Sequence, residues 1–125
     1  MATEVGLGIR NPWAPLTLDT ARSLPGCLGV YEIAGPAGDV RKIGYAGGRS
    51  TFGLRGVLGE AAQAAEDSGG GPLMFRVEVN MQYMSRWVEL LMIYRTSHGN
   101  LPPDNDPGDA DGLGRLGAAF RGGLR

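Results

Sequence analysis

The order of local signals in the chain predicts an α+β fold, a small three-stranded antiparallel sheet flanked by helices. Three observations carry that expectation. Two strand-like runs, residues 29–33 and 40–45, are separated by a short Pro/Gly turn, which is the signature of a hairpin. An amphipathic helical pattern follows at once, and a third alternating strand then leads into a second, strongly apolar helical run.

The N-terminal arm, residues 1–24, holds Pro12 and Pro15, with Pro25 just beyond, and leaves room only for a short helix over residues 16–23 with Asp19 near its start. Gly29-Val30-Tyr31-Glu32-Ile33 and Val40-Arg41-Lys42-Ile43-Gly44-Tyr45 form the hairpin, turning at residues 35–39. Ser50 and Thr51 suit a helix cap. Phe52, Leu54, Val57, Leu58, Ala61, Ala62 and Ala65 then recur at helical spacing until Ser68 and three glycines end the run. Residues 73–79 alternate apolar with charged side chains, as a half-buried strand does. Between Ser85 and His98 the run around Trp87 to Tyr94 is apolar almost all round, which predicts a helix buried on most sides and stopped by Gly99. Beyond a core of residues 24–105, an acidic linker and C-terminal tail occupy 106–125, where Leu113, Leu116, Phe120 and Leu124 suggest a glycine-weakened terminal helix.

With 125 residues, 42% of them hydrophobic, the chain fits one domain spanning 1–125 around one core. No stretch reaches the roughly 20 apolar residues of a membrane span, and no leader-like block opens the chain. Cys27 is the only cysteine, so an internal disulfide is excluded, and with the lone His98 it cannot build a Cys/His zinc site. A reducing cytoplasm fits best. The net charge of −1 argues against a domain held on long duplex DNA by counterion release alone. Asp104, Asp106, Asp109 and Asp111 concentrate the acids in one segment, however, and the rest of the chain is mildly basic. All but one of the 12 basic residues are arginine, which makes Lys42 conspicuous.

Five short features in this order resemble the GIY-YIG nuclease superfamily across residues 24–105. Gly29-Val30-Tyr31 stands in the place of the first motif and Lys42-Ile43-Gly44 in that of the second. Arg55 falls where the family has an arginine on the next helix, and Glu89 where a glutamate comes from the later one. Asn105, after Pro102-Pro103-Asp104, supplies the closing asparagine, with Asn100 as its rival. Together these are far more specific than any one alone. The chain departs from the pattern at Lys42, which replaces the second-motif tyrosine, and at Gly59, where the family often has histidine or tyrosine.

The resemblance implies metal-dependent phosphodiester hydrolysis of nucleic acid, DNA before RNA, with one divalent ion, Mg²⁺ or Mn²⁺. Tyr31, Lys42, Tyr45, Arg55 and Glu89 would then form the catalytic set, Glu89 would hold the metal, and Gly47, Gly48, Arg49 and Asn105 would touch substrate. The roles have physical reasons. A phosphodiester is anionic and repels nucleophiles, so an arginine fork and a hard cation lower the barrier. Tyrosine is a poor base at its free pKa of about 10, and a nearby cation such as Lys42 would favour its phenolate. Tyr45 is the other tyrosine near the second motif, although strand alternation sends it to the face opposite Lys42.

Each residue also has a plainer role: Lys42 as a solvated strand lysine, Arg55 paired with Glu60, and Glu89 paired with Arg86. Trp87, Tyr94 and Phe75 read as core, and His98 as a helix-end cation. No added DNA-binding module is visible, so target choice calls for a homo-oligomer, a separate targeting protein, or a small or single-stranded substrate. The alternative function is a catalytically inactive GIY-YIG-like domain that binds nucleic acid, a small ligand or a protein partner.

Overall fold

A computed structural model describes residues 8–111 and Leu113. The elements run β1 (Ala14–Pro15), α1 (Leu18–Arg22), β2 (Gly29–Ala34), β3 (Val40–Ala46), α2 (Gly53–Ser68), β4 (Met74–Val79) and α3 (Tyr83–His98). The architecture is α+β, with the strands in one antiparallel sheet of order β1-β4-β2-β3. The sheet has four strands where the sequence predicts three. The extra one is two residues long and contains Pro15, which a sheet edge tolerates, and the Leu16 amide continues it by bonding the Leu73 carbonyl at 2.9 Å. No hydrophobic alternation can announce so short a strand.

α1 is fixed by a capping box: the Thr20 amide donates to Thr17 Oγ1 and the Thr17 amide to Thr20 Oγ1, at 3.1 and 3.0 Å. At α2 the expected Ser50 and Thr51 caps are not used. Phe52 occupies the cap position without a side-chain bond, and the Leu54 amide is satisfied by the Cys27 carbonyl at 2.8 Å. Gly69 and Gly99 end α2 and α3 in the left-handed conformation.

Every residue of β2 is buried, and its alternating side chains feed two cores. On one face Tyr31 and Ile33 join Ala46 and Phe75 beneath Leu54, Leu58 and Ala62 of α2. On the other, Val30 and Ile43 pack against Leu90 and Leu91 of α3, with Ile9 and Leu113. The two long helices thus cover opposite faces. α3 is less buried than its composition predicts, since only Leu90 and Leu91 are fully enclosed. It lies on one face of a narrow sheet, so its outer apolar side chains stay half-exposed. The expected terminal helix lies outside the described residues apart from its first member, Leu113.

Candidate functional site

Strand register decides which of the expected residues can meet. Tyr31 pairs with Gly44 and Ile33 with Lys42, so Tyr31 and Lys42 are diagonal neighbours on the α2 face, within reach of long side chains. Val30 pairs with both Tyr45 and Glu78, which places Tyr45 and Glu78 on the α3 face. Tyr45 therefore does not share a surface with Lys42. It stacks instead on Tyr83, at 5.6 Å between ring centroids, and meets Trp87 edge-on at 5.0 Å.

Tyr31 is buried, its ring end lying over Gly44, where a Cβ would come within 2.4 Å of its Cζ and hydroxyl. No hydrogen-bond partner for that hydroxyl exists among the described residues, yet no fully buried side-chain oxygen there lacks one, so the hydroxyl reaches solvent. Burial pushes its pKa up to about 12, and the nearby Lys42 does not reverse the shift. The phenolate that would act as a base is thus disfavoured. The same shift predicts a pH effect. An unfolded tyrosine ionises near pH 10, whereas the folded one holds its proton to about 12. The stabilisation is complete below about pH 10 and is lost as pH rises toward 12, amounting to roughly 3 kcal/mol. Absorbance titration at alkaline pH should show one tyrosine ionising about two pH units after an exposed one, and a Tyr31→Phe protein should lack that step.

Glu89 sits on the opposite side of the sheet from Tyr31, Lys42 and Arg55. Trp87 donates its indole N–H to the Ile43 carbonyl at 2.9 Å, which turns that side of α3 toward β3. Arg86 reaches the other way to Glu78 on β4, through bonds of 2.8 and 3.1 Å, and its remaining nitrogen takes Glu89 Oε1 at 2.5 Å. Burial works to raise the Glu78 carboxyl, but hydrogen bonds from Arg86 and Asn80 and the guanidinium charge outweigh it and hold the carboxyl below its usual range. The plainer role for Glu89 is the one seen. A divalent ion at this carboxylate would lie beside the Arg86 guanidinium, so the residues present do not fit the expected metal.

Three of the four expected substrate contacts are engaged within the fold. Asn105 is buried, and its amide takes both backbone groups of Ile43. Gly47 carries Tyr83 against its α-carbon, where a Cβ would come 2.8 Å from the ring, and the Gly48 amide donates to the Tyr83 hydroxyl at 3.2 Å. The Gly47-Gly48 turn is therefore a seat for Tyr83, and Arg49, alone among these residues, is exposed with no partner among the described residues.

Arg55 has the surroundings expected of a ligand-binding residue. It is exposed, it makes no ion pair with Glu60 or any other described residue, and its Nη2 lies beside Gly26. It borders a groove of about 550 Å³ between α1 and α2, within the range of ligand pockets. Arg22 and Leu18 form the α1 wall, while Phe52, Gly56, Gly59 and Gln63 follow one another along α2. The helical spacing of the sequence assigns Phe52 to the core, but 60% of it is exposed because it precedes the first helical turn. Glu60 is the acid in the lining, and Arg22 is held only loosely, 3.9 Å from the exposed Asp19.

A charged constellation that sequence reading missed lies inside the sheet. Glu32 is buried and accepts from Arg76 at 2.7 Å, and the guanidinium rests 4.3 Å from the centre of the Trp13 ring. Register makes Glu32 and Arg76 direct partners, and a charge inside an otherwise apolar strand is the signal that points to such a pair.

The structure is thus a small α+β domain with a groove between α1 and α2. The chain belongs to a family described as a domain of unknown function, DUF7508, whose profile matches residues 7–97. No curated protein and no solved structure matches the chain. Among the described residues no helix is long and apolar enough to cross a membrane.

Proposed function

We propose that this domain is a non-catalytic binding module, built on a GIY-YIG-like frame, that holds nucleic acid at the α1–α2 groove. One observation supports this reading most: Arg55 has no partner among the described residues and lines the groove, while Glu89 lies across the sheet in an ion pair with Arg86. An arginine that none of the described residues engages keeps its donors for an outside anion, and phosphate fits its fork. Arg22 on the facing helix adds a second charge. Two cations suit a short contact and not a long duplex tract.

The test is binding of a fluorescent single-stranded oligonucleotide by anisotropy, with Mg²⁺ present and strand integrity followed in parallel. Two phosphates neutralised on a single strand give a slope of log K against log salt of about −1.4, and Arg55→Gln should halve it. Glu89→Gln should leave affinity unchanged and the strand intact. Binding insensitive to Arg55→Gln would contradict the reading.

A second reading, phosphodiester hydrolysis, is favoured by one observation: Tyr31 and Lys42 share a face, and the Tyr31 hydroxyl is not completely enclosed. Divalent-ion-dependent cleavage that disappears in both Tyr31→Phe and Lys42→Met would support it over the first.

A further inference from the structure

From the shape and chemistry of the α1–α2 groove we infer that it takes one unpaired nucleotide of a single strand, with the base on Phe52 and the phosphate between Arg55 and Arg22. This rests on the groove being the binding site. Phe52 is 60% exposed and lines the groove with Arg55, and one helical turn further Gly56, where a Cβ would come 3.1 Å from the Phe52 Cβ, adds no side chain against it. An aromatic ring beside an arginine is the pairing that holds a base face and its phosphate together. Inside a duplex both faces of each base are stacked, so Phe52 finds a partner only on an unpaired nucleotide. The cavity matches that ligand, since about 550 Å³ accommodates a nucleotide-sized molecule.

Gly59 gives the groove its depth. A glycine inside a helix weakens it, and at Gly59, apart from the neighbouring residues and the backbone of its own helix, no atom of the described residues lies within 4 Å of where a Cβ would stand, so packing among them does not demand it. The position lines the groove. A leucine there fills ligand space while improving the helix, which separates binding from folding.

The experiment uses the full chain and three probes: a fluorescein-labelled deoxythymidine strand of about ten nucleotides, the same strand annealed to its complement, and thymidine monophosphate. The single strand is expected to bind roughly tenfold or more tightly than the duplex, and Phe52→Ala to lose roughly tenfold on the single strand with little change on the duplex. Gly59→Leu is expected to remove binding with an unchanged or higher melting temperature. Equal affinity for duplex and single strand, both lost in Gly59→Leu, overturns the unpaired-base assignment and keeps the groove. Thymidine monophosphate binding as tightly as the strand overturns the strand in favour of a free nucleotide. Binding that survives both Gly59→Leu and Arg55→Gln overturns this inference and the groove reading together.

Discussion

Replacing Asn105 by alanine should cost about 2–4 kcal/mol of stability, a large loss for a polar side chain on the margin of a sheet. β3 is the outer strand, and Asn105 completes its edge as a neighbouring strand would. Its Oδ1 accepts from the Ile43 amide at 2.9 Å and its Nδ2 donates to the Ile43 carbonyl at 2.9 Å. The same Nδ2 donates to Asp109 at 3.0 Å, which ties the acidic segment to the sheet. The Ile43 carbonyl keeps Trp87 as a donor after the substitution, but its amide is left without a partner beside a side chain that is only 1% exposed. An orphaned buried amide carries most of the expected cost, and the lost bonds the rest. Urea unfolding measures it, and a loss under about 0.5 kcal/mol would show that water replaces the side chain freely.

Gly44→Ala should destabilise the domain by about 1–3 kcal/mol and release Tyr31. The added Cβ would stand 2.4 Å from the Tyr31 Cζ and hydroxyl oxygen, far inside contact distance, so the ring has to leave its place over β3. Tyr31 is 5% exposed and packs with Leu54 and Leu58, so a displaced ring leaves space in that core. A spectroscopic consequence accompanies the loss: the tyrosine that titrates near pH 12 should return toward 10, since burial is what raises it. A mutant that keeps both its midpoint and its late-titrating tyrosine would contradict this geometry.

Gly44 and Tyr31 belong together for a physical reason. The two are cross-strand partners, and the glycine provides the surface on which the ring lies. Such pairs of motifs are legible in sequence because hairpin strands alternate and the turn is short. The hairpin, α2 and α3 could be read from periodicity and glycine stops. β1 could not, because two residues carry no period. The facing of α3 was equally hidden, because a helix apolar on several sides does not declare which side packs, and that facing sends Glu89 toward Arg86. Asn105 is an asparagine after two prolines, and nothing local separates a substrate contact from an edge cap made 62 positions away. Phe52 fits the apolar spacing of α2, and only the actual start of the helix exposes it.

The central claim is that nucleic acid meets the protein at the α1–α2 groove and leaves it uncut. Amide chemical-shift mapping with a single-stranded oligonucleotide and Mg²⁺ tests it most directly, with the strand recovered afterwards and sized. The account predicts shifts concentrated at Phe52, Arg55, Gly56, Gly59 and Arg22, with an intact strand. Shifts centred instead on Tyr31, Lys42 and Gly44, together with a shortened strand, would contradict it and make the protein a hydrolase.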